Sequence, residues 1–325
     1  MTVLVAGGAG YIGSVTAAEL LDAGYEVVVY DNLDRGHRAA VPPGAEFIEA
    51  ELGDSDTLTR VLRDYEVETI MHFAAHSLVP ESMAYPELYY ENNVVVGKRI
   101  LDAMMRAGVN FIIFSSTCAT FGEPNEVPIH EQIAQNPTSP YGETKLAFEK
   151  MLQWYHRVHG LNYSILRYFN AAGAAHGLGE DHDPETHLIP IVLQVALDQR
   201  KHISIFGEDY PTPDGTCVRD YIHIVDLARA HILAMQKKSE EATHFNLGNG
   251  TGYSVKEVIE VARGITGHPI PAVTAPRRPG DPPALIGAAD KIKRELGWEP
   301  RFPDLESIIA SAWAWHQAHP RGYKK

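Results

Sequence analysis

A tyrosine and a lysine four positions apart, Tyr141 and Lys145, open an amphipathic stretch in the sequence SPYGETKLAFEK. Residues at this spacing share one face of a helix. An isolated tyrosine has a pKa of about 10 and is a poor base at neutral pH, and lowering that pKa to about 7 requires roughly 4 kcal/mol. An exposed pair of this kind contributes only tenths of a kcal/mol. The pair can therefore act as a base only where a buried lysine and a second nearby cation favour the phenolate.

Three hydroxyl side chains, Ser115, Ser116 and Thr117, end the apolar run FIIFSST. The run is typical of a buried strand over residues 110–116. In doubly wound α/β folds, ligands bind beyond the carboxyl ends of the strands. The hydroxyl groups are thus expected at a ligand-binding edge, although capping of the strand end is the simpler alternative.

A glycine-rich loop, VAGGAGYIGS, places Gly7, Gly10 and Gly13 directly after the first predicted strand and at the start of a helix. Glycine permits the tight turn and lets backbone N–H groups approach a pyrophosphate at the helix N-terminus. The second strand ends at Asp31, whose carboxylate can accept hydrogen bonds from an adenosine ribose and would repel a 2′-phosphate. The combination predicts a dinucleotide site that prefers NAD to NADP, with Arg35 as the counter-argument.

The elements that must position these residues alternate along the first half of the chain. The predicted strands cover residues 2–7, 26–31, 46–50, 69–75, 110–116 and 163–169. The predicted helices lie near 12–23, 55–64, 86–107, 141–158, 188–200, 223–237, 254–265 and 304–317. Alternation of buried strands and helices predicts an α/β fold with a doubly wound parallel (Rossmann) sheet.

After Arg167 the loops become longer and richer in Gly, Pro, His and Asp. We therefore predict a Rossmann domain over residues 1–167 and a smaller, mixed α/β lobe over residues 168–325, mainly for substrate. Some segments of the second part are expected to return to the Rossmann sheet.

The composition of the chain argues against several kinds of binding partner. The chain has 325 residues and a formal charge of −14, with 42 acidic against 28 basic side chains, which argues against binding to nucleic acid or to an anionic membrane. The two cysteines, Cys118 and Cys217, form no disulfide framework, which favours a cytoplasmic location. His72 and His76 stand four apart without a third ligand, so we predict no metal site.

With these residues placed, the chain resembles the extended short-chain dehydrogenase/reductase family, and specifically the UDP-glucose (UDP-galactose) 4-epimerases, essentially from end to end. The segments that carry the resemblance are GGAGYIGS, DNL, HFAA, ENNV, FSSTCATFG, SPYGETK, LRYFNAAG, HLIP, IFGEDYPTPDGTCVRDYIHIVDLA, FNLGNGTGYSV and RRPGDPPAL. The resemblance implies NAD as cofactor, a UDP-sugar as substrate, and a homodimer formed through helices near 86–107 and 141–158.

The resemblance also implies roles for individual residues. The catalytic group would be Thr117, Tyr141 and Lys145. The cofactor would be held by Gly7, Gly10, Tyr11, Ile12, Gly13, Asp31, Asn32, Glu51, Leu52, Phe73, Ala74, Ala75, Asn92, Ser115, Tyr141, Lys145, Tyr168 and Phe169. The substrate would be held by Thr117, Asn170, His187, Leu188, Ser204, Phe206, Arg219, Arg278 and Asp281.

The implied reaction inverts C4 of a hexose through a 4-keto intermediate, with Tyr141 as the base. Leu285 stands where a tyrosine or a small residue faces the 2-position of the sugar, so N-acetylhexosamines, pentoses and uronic acids remain alternatives to glucose and galactose. A nucleotide-sugar dehydratase or decarboxylase is less favoured, because Cys118 and Ala119 replace the acidic residues expected there. An NAD-binding regulator without catalysis is the remaining alternative.

Overall fold

The computed structural model describes residues 1–237, 242–278 and 280–324, and within them a seven-stranded parallel sheet forms the centre. In spatial order its strands are β10 (Thr243–Leu247), β6 (Asn162–Tyr168), β5 (Phe111–Thr117), β4 (Val67–His72), β1 (Thr2–Ala6), β2 (Glu26–Asp31) and β3 (Glu46–Glu49). The order reverses between β1 and β4, and ligands of doubly wound sheets bind at such a point. The predicted fold class is confirmed.

Helices cover both faces of the sheet because alternate strand residues point to opposite sides. Val3 and Val5 face one core, with α1 (Tyr11–Asp22) and α8 (Ile224–Gln236). Leu4 and Ala6 face the other core. The helices on that second side are α2 (Ser55–Asp64), α5 (Val96–Ala107) and α6 (Pro140–His159).

The remaining elements form a third core beyond the carboxyl edge of the sheet. Strand β9 (Val218–His223) pairs with β7 (Asn170–Ala172), β11 (Gly252–Ser254) and β13 (Ala284–Leu285), and β8 (Ile203–Phe206) pairs with β12 (Ala272–Ala275). The apolar side chains of this core come largely from α7 (Leu188–Ala196), α9 (Val255–Thr266) and α11 (Leu305–Ala318). A short helix, α10 (Asp290–Leu296), precedes α11.

The six predicted strands are all present, and the largest shift of an end is three residues, where 69–75 became Val67–His72. Strand β10 comes from the second half of the chain and pairs with β6. The predicted boundary at residue 167 falls inside β6 and stays a prediction.

The helix predicted near 86–107 is present with the same ends, but part of it is π-helical. The chain runs from α4 (Pro86–Tyr89) through a π-helical stretch at Tyr90–Val95 into α5, and a separate short helix, α3 (Val79–Ala84), precedes them. In the π-helical stretch, Asn93 is buried and donates hydrogen bonds to the His76 carbonyl and to the Thr144 hydroxyl. These bonds tie the loop after β4 to α6. π-Helical insertions are frequent at functional sites. None of the helices in the described ranges combines the length and apolarity that a membrane span requires.

Candidate active site

The loop between β1 and α1 folds back on itself at two glycines. Gly7 has a φ of +78°, and a Cβ there would lie 2.6 Å from the backbone nitrogen of Ala74. A Cβ at Gly13 would lie 2.2 Å from the carbonyl oxygen of Gly7. The residue before α1 is Gly10, which provides no side-chain cap, and the first turn contains no acidic residue. The helix N-terminus is therefore suited to an anionic ligand.

Asp31 connects this loop to the end of β2. Its two carboxylate oxygens accept hydrogen bonds from the backbone N–H groups of Ala9, at 3.0 Å, and Leu33, at 2.9 Å. Burial raises the pKa of Asp31, and the two backbone hydrogen bonds oppose that rise. Nearby, the Asn32 amide donates to Glu51 at 3.2 Å. The predicted ribose acid thus also holds the glycine loop in place.

A cavity of about 1440 Å³ opens beside the glycine loop and the carboxyl ends of the strands. Pockets for drug-sized ligands are typically about 300–1,000 Å³, so this cavity has room for a larger ligand or for two. Every residue that the sequence predicts for the cofactor lines it. Of the residues predicted for the substrate, the lining includes Thr117, Asn170, His187, Arg278 and Asp281.

Thr117, Tyr141 and Lys145 meet on the wall of this cavity, where the end of β5 faces the start of α6. Helix α6 begins with Pro140 after Ser139, whose hydroxyl accepts a hydrogen bond from the N–H of Gly142. This cap fixes the first turn, which carries Tyr141.

The pKa values of Tyr141 and Lys145 are shifted in opposite directions. Burial raises the pKa of Tyr141 to about 12, and a hydrogen bond with Thr117 opposes the rise. Burial lowers the pKa of Lys145 to about 7, and Glu149 opposes that change. The ammonium nitrogen of Lys145 lies 4.6 Å from the centre of the Phe114 ring. Without a further cation the phenol stays protonated at neutral pH.

A buried ion pair that the sequence analysis did not identify lies one helical turn beyond Lys145. Glu149 is fully buried and lies 2.6 Å from Nη2 of Arg167, which is 4% exposed. The Ser116 hydroxyl donates to the same carboxylate at 2.5 Å. This network joins β5, β6 and α6, and so fixes the helix that carries Tyr141. The available signal was the spacing from Lys145 to Glu149, which places both on one helix face.

Two pairs of the residues predicted for the substrate side are in contact. Arg219 forms an ion pair with Asp281, and the guanidinium carbon of Arg278 lies 4.0 Å from the centre of the Phe206 ring. Asn170 donates to the carbonyl oxygen of Asp220 at 2.9 Å. Four predicted substrate residues do not belong to the cavity lining: Leu188, Ser204, Phe206 and Arg219.

A second group of polar side chains, which we call the His–Glu cluster, also contributes to the cavity wall. It consists of Glu180, His182, Glu185 and His187. The ring of His182 lies 6.3 Å from that of Tyr11, edge to face, next to the glycine loop. Of these four residues, only His187 was predicted from the sequence, for substrate, because the irregular spacing of the other three gives no periodic signal.

Comparisons with known proteins agree with this geometry. A model of the NAD dependent epimerase/dehydratase family matches residues 3–248. The chain is 54% identical to a UDP-glucose 4-epimerase of Halalkalibacterium halodurans over 327 residues, which cover 99% of this chain and 98% of that protein.

Two solved structures are similar over almost the whole chain. A crystal structure of a UDP-glucose 4-epimerase has a TM-score of 0.97 and 51% identity, with 100% of both chains covered. The crystal structure of UDP-glucose 4-epimerase from Brucella ovis in complex with NAD has a TM-score of 0.94 and 46% identity, covering 96% of this chain and 97% of that one. The chain therefore belongs to the NAD-dependent epimerase/dehydratase family, and within it to the UDP-glucose 4-epimerases.

Proposed function

We propose that this protein interconverts UDP-glucose and UDP-galactose by inverting C4 of the hexose, with NAD as a tightly bound cofactor. The observation that carries the proposal is the convergence of Thr117 and Tyr141, with Lys145 one turn further on, in the cavity beside the glycine loop. Relatives that share the whole length of the chain carry this activity in their names, and the Brucella ovis structure contains NAD.

The residues of the cavity fit the cofactor. The uncapped N-terminus of α1 suits its pyrophosphate, and Asp31 and Asn32 line the cavity where an adenosine ribose would be held. NAD, when bound, supplies the acceptor for the C4 hydrogen of the sugar and a positive charge near the phenol.

In the proposed mechanism, Tyr141 as phenolate removes the proton of the sugar 4-OH, and Thr117 holds that oxygen and helps to pass the proton. The sugar becomes a 4-keto hexose, turns within the cavity and regains its hydrogen on the opposite face. Tyr141 then returns the proton, and the configuration at C4 is inverted. Because the pKa of Tyr141 is about 12 when only this chain surrounds it, the base depends on the charge of the bound cofactor and on protonated Lys145.

The end of β5 disfavours the dehydratase and decarboxylase alternatives. Cys118 and Ala119 follow Thr117 and line the cavity, where those enzymes require acidic side chains. Burial raises the pKa of the Cys118 thiol to about 11, so it stays neutral, and alanine carries no proton to exchange. Elimination at C5 and C6 therefore lacks its acid and base.

The preferred sugar is the part of the proposal that the cavity leaves open. Leu285 lines the cavity, as do Phe169 and Arg278. Parallel assays with UDP-galactose, UDP-GlcNAc, UDP-arabinose and UDP-glucuronate would rank the alternatives. Turnover of none of them would instead support a non-catalytic NAD-binding regulator.

The decisive experiment replaces Tyr141 by phenylalanine. We expect the rate of interconversion of UDP-glucose and UDP-galactose to fall by about 10²–10⁴-fold, the usual contribution of a general base. The matched control is Tyr155→Phe on the same helix, whose hydroxyl contacts Asp102 at 3.3 Å and does not belong to the cavity lining. A Tyr141→Phe protein as active as the wild type would refute the mechanism.

We also propose that the protein is a cytoplasmic homodimer. Trp154 and Val158 are 62% and 66% exposed on α6, and Leu88 is exposed on α4. Apolar side chains on these neighbouring helices suit a helix-to-helix interface. Cys118 and Cys217 are free thiols, which suits a reducing compartment. The mass of one chain is 35.9 kDa, and light scattering should give twice that value. The Trp154→Glu substitution should lower the measured mass toward that of the monomer.

A further inference from the structure

The His–Glu cluster brings four potential metal ligands together within a segment of eight residues. Glu180, His182, Glu185 and His187 each offer one nitrogen or oxygen atom, and these atoms all lie within 4.8 Å of one another. Imidazole and carboxylate groups in such a set are common ligands of zinc. The sequence spacing, E-x-H-x-x-E-x-H, matches no helix or strand period, so the turn of the chain creates the convergence.

The distances within the cluster are close to those of a tetrahedral site. Nδ1 of His187 lies 2.9 Å from Oε1 of Glu180 and 2.9 Å from Oε1 of Glu185. Nδ1 of His182 lies 3.2 Å from Oε1 of Glu180 and 3.6 Å from Oε2 of Glu185. Zinc bonds of about 2.0–2.2 Å at tetrahedral angles separate neighbouring ligand atoms by roughly 3.3–3.6 Å. Small movements of the four side chains would therefore bring the ligand atoms to the separations of a tetrahedral zinc site.

Hydrogen bonds within the cluster do not fully satisfy its polar atoms. Nδ1 of His182 is buried and faces both carboxylates, yet it forms no well-aligned hydrogen bond. Glu180 is only 6% exposed and lies beside Glu185. Two adjacent buried carboxylates are costly unless positive charge compensates them. Either two protonated imidazoles or one divalent cation with two neutral imidazoles would balance the charge.

The surroundings also match those of a metal site. Oε1 of Glu185 accepts hydrogen bonds from the backbone N–H groups of Thr186 and His187, both at 2.7 Å, which orient the carboxylate. His187 is 43% exposed, so an ion can reach the cluster from solvent. Helix α7 begins at the next residue, Leu188.

We propose that Glu180, His182, Glu185 and His187 bind one zinc ion, or a similar divalent transition metal, in a four-coordinate structural site. With four protein ligands the ion has no open position for substrate, so its role is to fix this wall of the cavity between Tyr11 and α7. This inference goes beyond the proposed epimerase activity, and metal binding can be measured without any sugar substrate.

The test uses the full-length protein with its cofactor, treated with a chelator and then titrated with Co²⁺. We expect one equivalent to bind with the intense visible absorption of tetrahedral cobalt, and Zn²⁺ to abolish that absorption. The zinc content of untreated protein, measured by mass spectrometry, should also approach one equivalent. Absence of a stoichiometric metal in both measurements would overturn the proposal and leave the cluster as a pair of His–Glu ion pairs.

Two variants locate the site. His182→Ala and Glu185→Gln should each lower the affinity for Co²⁺ by about 100-fold or more. The control is His130→Ala, which removes a histidine that lies 2.8 Å from Glu126 on the exposed surface, without converging ligands. Binding that is unchanged in both cluster variants would place the metal elsewhere and refute the assignment. If His182→Ala does not fold, the milder Glu185→Gln variant and the zinc content of the wild type still decide the question.

Discussion

The cofactor side and the substrate side of the cavity are built differently. On the cofactor side, the glycine loop and Asp31 lie at the ends of regular elements, and they line the cavity together with Lys145 of α6. On the substrate side, two lining residues contact residues outside the lining: Asp281 pairs with Arg219, and Arg278 stacks on Phe206. One side therefore presents its binding groups directly, whereas the other holds its charged groups in internal contacts.

This difference between the two sides implies that the cofactor can bind to groups already oriented for it, whereas the substrate must compete with existing contacts. A cofactor can enter a site whose donors are already oriented by strand ends and a helix terminus. A diphosphate that binds Arg219 must compete with the carboxylate of Asp281 or share the guanidinium with it. We therefore expect changes on the cofactor side to affect the chemical step and changes on the substrate side to affect mainly substrate affinity.

The largest effect is expected for Lys145→Met. Activity should fall by about 100-fold or more, because the phenolate loses a nearby cation. In the cofactor-free protein, the same substitution should raise the stability of the fold. Burial lowers the Lys145 pKa from 10.5 to about 7, so the native state releases a proton that the unfolded chain keeps between those pH values.

Burying the lysine thus costs most below about pH 7, and the cost declines as the pH rises toward the unfolded value. The variant should melt above the wild type at acidic pH, and the gap should narrow at alkaline pH. Melting curves recorded at a series of pH values would measure this difference in melting temperature. The control is Lys150→Met, at an exposed position on the same helix. A gap that widens with pH would contradict this assignment.

Arg219→Met tests the substrate side. Loss of a charge-assisted contact of about 1.5–3 kcal/mol should weaken UDP binding roughly 10–100-fold, with a smaller change in kcat. Calorimetric titration with UDP would measure the affinity, and Asp281→Asn is the companion variant. If Arg219→Met lowers only the melting temperature and leaves UDP affinity unchanged, the Arg219–Asp281 pair is purely structural and the contrast between the two sides fails.

Asp31→Ala tests whether the cofactor side is preformed. The change removes the acceptor of two backbone hydrogen bonds, from Ala9 and Leu33, which should cost about 1–3 kcal/mol of stability for an unsatisfied buried group. The protein should also retain less NAD on purification. Asp34→Ala, at an exposed neighbouring position, is the control. Full retention of NAD by Asp31→Ala would show that the loop does not need this carboxylate.

The smallest effect is expected for Leu285→Tyr. A larger side chain in the cavity wall should lower turnover of UDP-GlcNAc relative to UDP-glucose by about 10-fold, the range for steric discrimination in a pocket. Leu285→Met keeps the volume and should leave the ratio unchanged. A ratio unaffected by tyrosine would mean that Leu285 does not face the 2-position of the sugar.

Much of the cofactor side could be predicted from local patterns. Strand periodicity, the glycine spacing and Asp31 at the end of β2 all depend on short-range rules, and the structure places them together. The Glu149–Arg167 pair could not be predicted, because it depends on how α6 packs against β6. The π-helical stretch within the helix predicted near 86–107 was also hidden, since the contacts of Asn93 with His76 and Thr144 are tertiary.

By itself, the sequence determined the doubly wound sheet, the glycine-rich turn after its first strand and the helical spacing of Tyr141 and Lys145, because periodicity and turn chemistry are properties of neighbouring residues. Only the tertiary structure decided the protonation preferences of that pair, since burial sets the pKa of each group. It also decided which charged residues are paired on the substrate side and brought the four members of the His–Glu cluster together. Such contacts arise from chain folding in three dimensions, and spacing along the sequence does not encode them.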